Sequence, residues 1–258
     1  MKKITLLLSM LFAVQPILAS AADSLKNSFR MSHFDNITIA EAAEKGMDIG
    51  IRLSNFLDNL ERRENDAEKL ADHLEKRYAH FTSAVIADIS IEGYQITGDP
   101  NAPVLLTAYF SANCPMCTYI LSEIYGYIHE GRLKNKVRMV VKPLGIGPGE
   151  KALIYFQERG KLWEYIGALK ESGERVTDRL LRKIAEDLGE DPEKFMHELD
   201  NKELAERTYD SRVEGINLGV KATPGFAVNG KYYNSFKDPA WLADAAEYEY
   251  VRINSNND

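Results

Sequence analysis

Val104-Leu105-Leu106-Thr107-Ala108-Tyr109-Phe110 runs towards Cys114-Pro115-Met116-Cys117, and these are the only two cysteines among 258 residues. The first run reads as a buried strand. Beyond it, apolar residues at 117, 120, 121, 124 and 128 keep a helical period. A strand that delivers C-x-x-C to the first turn of a helix suits redox chemistry, because a helix start offers unpaired N–H groups and partial positive charge to a thiolate. Pro115 fits the first helical position, where its missing N–H costs nothing. A zinc site needs about four ligands. His33, His73, His80, His129 and His197 include no close pair, and no second C-x-x-C exists. A disulfide across two residues would constrain little of the unfolded chain, so a structural staple is a poor reading. The pattern calls for no metal and no cofactor.

The chain opens with Met1-Lys2-Lys3, an apolar segment from Ile4 to Leu18, and Ala19-Ser20-Ala21-Ala22. This is the order of a secretory signal, cut most simply after Ala21. At about fifteen residues, interrupted by Gln15 and Pro16, the segment is short for a span of about twenty. The expectation is an exported protein in a bacterial periplasm, where a lone C-x-x-C can cycle between dithiol and disulfide. Removing residues 1–21 takes away two lysines and no acid, which moves the net charge from −7 to −9. No basic stripe suggests nucleic acid.

Residues 22–85 are helical in composition, with no proline. Ile39, Ala42 or Ala43, Ile49, Leu53, Phe56, Leu60, Ala67, Leu70, Leu74, Tyr78 and Phe81 form an amphipathic stripe. Such a stripe must pack on the following domain or on another copy. The expectation here is an oligomerisation arm, with Gly46 to Gly50 either a close helix contact or a break between helices.

Val85 to Ile91 alternates and reads as a leading strand. Strand 104–110, helix 114–130 and strand Val137–Val141 make a β-α-β unit, with the cysteines at the carboxyl end of its first strand. Residues 147–220 read as a run of helices. Phe226-Ala227-Val228, Asn229-Gly230 and Lys231-Tyr232-Tyr233 form the strongest hairpin signal, and a helix from Pro239 closes the chain.

With these elements in place, Gly98-Asp99-Pro100-Asn101-Ala102-Pro103-Val104, Cys114 to Cys117, Gly160-Lys161-Leu162-Trp163-Glu164-Tyr165 and the run Gly219 to Lys231 resemble the DsbA family of exported thiol-disulfide oxidoreductases. The resemblance covers about residues 86–250. It implies an α/β thioredoxin fold over 86–258 with a helical insertion at about 147–220. By the same resemblance Cys114 is the nucleophile and Cys117 the buried resolving thiol. Pro115 and Met116 are the dipeptide that tunes the pair. Pro224 is a cis proline that, with Thr223, binds substrate backbone. Two departures stand out. Many relatives keep a buried acid six residues before the first cysteine, where this chain has Ala108. Strong oxidases carry His in the dipeptide, where this chain has Met116. Proton transfer then falls to water, to Lys142 or to an unplaced residue, and the Cys114 thiolate rests mainly on the helix start.

The reading is a protein-disulfide oxidoreductase or isomerase acting on cysteines of unfolded or misfolded exported proteins. A membrane redox partner would reoxidise or reduce it. Joining catalytic domains through residues 22–85 would raise effective concentration on a substrate with several disulfides, which points to an oligomeric isomerase or mixed activity. The alternatives are a monomeric dithiol oxidase, a non-catalytic chaperone and a copper-binding protein.

Overall fold

The computed structural model describes residues 19–255. The expected leader, 1–21, lies outside the described residues except for Ala19-Ser20-Ala21.

Helix α1 (Ala21–Ser28) is capped by the Ser20 hydroxyl. Strands β1 (Arg30–Met31) and β2 (Ile37–Thr38) pair antiparallel, Arg30 opposite Thr38. This ribbon departs from the helical expectation. Its turn places Asp35 and Asn36 at φ of 50° and 56°, the left-handed region that these two residue types tolerate. Helix α2 (Ile39–Glu44) starts with a capping box between Thr38 and Glu41. Helices α3 (Asp48–Glu61) and α4 (Ala67–Thr82) follow. Gly46, at φ +71°, breaks α2 from α3, and a side chain at Gly50 would meet Ala42 at 2.6 Å. The stretch is thus both a break and a close contact.

The central sheet comes next: β3 (Val104–Phe110), α5 (Pro115–His129) and β4 (Val137–Pro143). The insertion holds α6 (Pro148–Gln157), α7 (Leu162–Ser172), α8 (Asp178–Asp187), α9 (Pro192–Glu198) and α10 (Lys202–Asn217). Strands β5 (Gly225–Val228) and β6 (Lys231–Tyr233) and helix α11 (Pro239–Ser255) complete the chain. The sheet order is β4-β3-β5-β6, with β3 parallel to β4 and antiparallel to β5. A β-α-β half and a β-β-α half, split by helices, are the architecture that the resemblance implies.

The expected strand at 85–91 does not form. The Ala87 N–H donates to the Gly230 carbonyl beside β6, whereas Thr97 bridges Met139 on β4. Those are opposite edges of the sheet. A segment that crosses from one edge to the other cannot pair along either strand, whatever its alternation.

Strand β3 divides its side chains by parity. Ala108 and Phe110 enter the main core with Cys117, Leu121 and Ile124. Tyr109 points to the opposite face, where it packs with Leu144 and Val220 and its hydroxyl donates to Glu214 of α10 at 2.8 Å.

The N-terminal helices fold back on this domain. Ile39, Ala42, Ile49, Leu53, Leu74, Tyr78 and Phe81 belong to the main core, and Phe56, Leu60 and Leu70 pack with Phe236 and Trp241. Ala67 of the stripe is exposed. Each large apolar side chain so buried contributes about 1.5–3 kcal/mol. The stripe that cannot bury itself alone is thus consumed within the same chain. A polar pin accompanies it. Arg77, fully buried, donates to Asp244 of α11, which also accepts from Arg52. The Arg77 guanidinium lies over the rings of Phe81, Tyr233 and Phe56 at 4.5, 5.3 and 5.5 Å. These faces cover guanidinium nitrogens that find no hydrogen-bond acceptor. Asp244→Ala strands a buried cation and is expected to cost about 3–5 kcal/mol, whereas Arg77→Met with Asp244→Leu recovers most of the loss. Urea unfolding midpoints measure both.

His80 sits beside this pin. Burial, then the nearby Arg77, push its imidazole down to about 4, while its contact with the Tyr232 carbonyl at 3.3 Å and the charge of Glu249 pull the other way. A folded-state value below the unfolded 6.5 means that the unfolded chain binds the extra proton. The associated stability is full above pH 6.5 and drains as pH falls towards 4, by roughly 3 kcal/mol in total. Unfolding midpoints between pH 7 and 4 should fall more steeply in the natural chain than in a His80→Gln variant.

Candidate active site

The end of β3 and the start of α5 place the two sulfurs in unequal settings. Cys114 is the N-cap of α5, with Pro115 in the first turn, and its sulfur accepts the Cys117 N–H at 3.2 Å. Cys114 is half-buried and Cys117 fully buried, and neither is in a disulfide. The turn leading into Cys114 is braced from the insertion. Buried Glu150 of α6 accepts from the Ser111 hydroxyl at 2.9 Å and the Ala112 N–H at 3.0 Å, and Asn113 accepts the Val176 N–H at 2.8 Å.

The Thr223–Pro224 peptide is cis, as the resemblance implies. The Thr223 carbonyl accepts from Cys114 Sγ at 3.5 Å, so this loop and the helix start face each other across the sulfur. Met116 and Tyr119 stand 54% and 49% exposed beside it, forming an apolar rim. A recess of about 120 Å³ on the other side is lined by Asn113, Cys114, Thr118, Lys170 and Arg175.

The Cys114 thiol is lowered to about 6. The hydrogen bond from the Cys117 thiol is the largest cause, against the opposing effect of burial. The Thr223 side chain and the N–H groups of Cys117 and Met116 add to it. Burial, then the bond to Cys114, push the Cys117 thiol far up. The arrangement therefore favours ionisation of the Cys114 sulfur and keeps the Cys117 sulfur neutral. The sequence reading assigned the thiolate mainly to the helix start. The structure adds the second thiol and the Thr223 side chain as larger contributions.

Lys142, one candidate for the missing proton relay, is placed elsewhere. It lies in register with Tyr109, one residue past Ala108. Its ammonium pairs with Glu214 at 2.6 Å and donates to the Ser90 carbonyl at 2.7 Å on the α10 face. Strand parity alone carried this answer. The sequence reading missed Glu150, which resembles any acid in a first helical turn.

The family model described as Thioredoxin matches residues 91–246. Disulfide bond formation protein D of Bacillus subtilis (strain 168) is 24% identical over 180 residues, covering 64% of this chain and 81% of that one. The crystal structure of oxidised BdbD from Bacillus subtilis superposes with a TM-score of 0.55 at 24% identity, over 66% of this chain and all of that one. Alpha-DsbA1 of Wolbachia pipientis gives 0.55 at 18% identity, over 66% and 97%. The helical insertion between the two halves of the sheet accords with the fold of these structures, and the family match spans more than half of the sequence: the chain belongs to the thioredoxin family.

Proposed function

We propose that this chain is an exported thiol:disulfide interchange protein whose disulfide form is the donor. Cys114 is the sulfur attacked by substrate, Cys117 the resolving partner, Pro115 and Met116 the tuning dipeptide, and Thr223-Pro224 the backbone against which a substrate strand lies. The asymmetry of the two sulfurs carries this reading. A Cys114 held as thiolate stabilises the reduced form, and a stabilised reduced form makes the disulfide oxidising. The exposed Met116 and Tyr119 suit unfolded chains rather than one folded surface. Substrates would be reduced cysteines of proteins folding in the periplasm, and a membrane partner would restore the disulfide.

Export draws support from the N-terminus. The Ala22 N–H donates to Glu61 at 2.9 Å, so cleavage after Ala21 would turn this amide into an ammonium facing a carboxylate. No helix among the described residues is long and apolar enough to cross a membrane.

A second reading, an oligomeric isomerase, draws on a different observation. Val85 and Ile86 are 80% and 63% exposed, and Tyr209, Val213 and Ile216 of α10 are exposed as well. Val85 and Val213 border one recess, an apolar area that a second copy would cover. Sedimentation of the full mature chain separates the two readings. The donor reading expects one chain per particle, with fast oxidation of a dithiol peptide and little reshuffling of a scrambled substrate. A larger particle that reshuffles efficiently favours the isomerase.

Alkylation by iodoacetamide tests the chemistry. The Cys114 rate should reach half its plateau near pH 6 rather than at the ordinary value of about 8.5. Cys117→Ala removes the largest stabilising bond and should raise this midpoint by about one pH unit. Cys117→Ser should trap mixed disulfides and Cys114→Ser none; the reverse pattern would reassign the nucleophile.

A further inference from the structure

Ala108 brings no charge to the core that holds the Cys117 thiol, and parity sends Lys142 to the opposite face. Another cation is anchored beside the Thr223-Pro224 segment. Lys237, in the loop between β6 and α11, is half-buried, and its ammonium donates to the Ala222 carbonyl at 3.5 Å. Ala222 precedes Thr223, whose carbonyl contacts Cys114. The ammonium is thus anchored one residue from the segment that touches the nucleophilic sulfur. Burial lowers its pKa, and the charges of Cys117 and Cys114 raise it, which puts both sulfurs within its electrostatic reach.

Lys237 makes no ion pair among the described residues, and its neighbours explain why. Asp238, the adjacent acid, is engaged by Arg63 in the turn between α3 and α4. The loop is fixed on the N-terminal layer at three further points. Ser235 donates to the His73 carbonyl at 3.2 Å, the Phe236 ring stands edge-on to His73 at 5.5 Å, and Phe236 packs with Phe56, Leu60 and Leu70. The remaining charged groups around the sulfurs are fewer. Lys170, Glu174 and Arg175, at and just beyond the end of α7, border the recess beside Cys114 and are exposed, with Glu174 paired to Arg179. Glu150 is occupied behind Ser111 and Ala112.

We propose that Lys237, held in place by the N-terminal helices, is the positioning charge of the dithiol, and that it acts on Cys117 as well as on Cys114. The inference rests on the exchange reading above. When a substrate thiolate attacks Cys114 Sγ, a new sulfur–sulfur bond forms and the Cys114–Cys117 bond breaks. The electron pair of the broken bond stays on Cys117. The Lys237 ammonium holds that charge inside the core until Cys117 takes a proton from solvent. A second substrate thiolate then displaces Cys114 as a thiolate, which the same ammonium favours; the substrate is oxidised and the pair reduced.

The test follows Cys114 alkylation against pH in the reduced full chain, together with single-turnover disulfide transfer to a dithiol peptide. Lys237→Met should raise the midpoint by about one pH unit and slow transfer about tenfold, and Lys237→Gln should match it. Lys237→Arg keeps the charge and should return the midpoint most of the way to the natural value. An unchanged midpoint in both neutral variants overturns the proposal. So does an arginine variant that moves as far as methionine, since that pattern marks a packing role. The natural chain is the control for the exchange reading itself: a midpoint near 8.5 there removes that reading, whereas a midpoint near 6 that ignores Lys237 removes only this inference.

Discussion

Two sulfurs three residues apart must differ in solvation for disulfide exchange to have a direction, and the architecture around Cys114 and Cys117 follows from that requirement. A helix start supplies the difference at once. Its N-cap side chain stands at the mouth of the helix, and the residue three positions on turns into the core. Everything nearby sharpens the contrast. Strand β3 ends just before the pair, and its core-facing parity puts Ala108 beneath Cys117. The insertion contributes Glu150 to steady the approach. The β5 segment brings Thr223 to the exposed sulfur. A thiolate at Cys114 is stabilised by the neutral thiol of Cys117, so each sulfur's state is defined by the other's.

The N-terminal helices belong to the same structure rather than standing beside it. Their apolar stripe closes one side of the core, and Arg77 crosses the boundary to Asp244 under a cover of aromatic rings. A buried ion pair of this kind adds little net stability over an apolar pair but penalises any docking that separates it. It fixes the register of α4 on α11. That register in turn sets where the loop after β6 lies, because Ser235 and Phe236 hold to α3 and α4, and Asp238 to Arg63 in the turn between them.

Much of this was legible from the sequence where local and global signals agreed. The run from Val104 to Cys117 and the Asn229-Gly230 hairpin each combine a periodic pattern with a stop or a cap, and the structure forms both. Legibility failed where the deciding contact was distant. Val85 to Ile91 alternates like a strand, but Ala87 touches one sheet edge at Gly230 and the chain then leaves for the other edge, which Thr97 reaches at Met139. The stripe of residues 39–81 reads the same whether its partner is another chain or its own α11. Asp35-Asn36 carried a turn signal that the surrounding helical composition masked.

The same distinction explains the charge at the site. Lys142 was visible because it follows a strand, yet a strand residue's face is fixed by parity, and its parity is wrong. Lys237 was invisible because a loop has no parity. Its direction is set by three side chains anchored more than 150 residues earlier in the chain, so the electrostatics of a four-residue motif depend on helices that the motif never touches. A dipeptide as neutral as Pro115-Met116 makes that dependence stronger, since it contributes no charge of its own. Redox tuning in this chain is therefore distributed. The Cys117 thiol, the Thr223 side chain and the helix start together set which sulfur ionises, and the N-terminal layer holds the loop that carries Lys237.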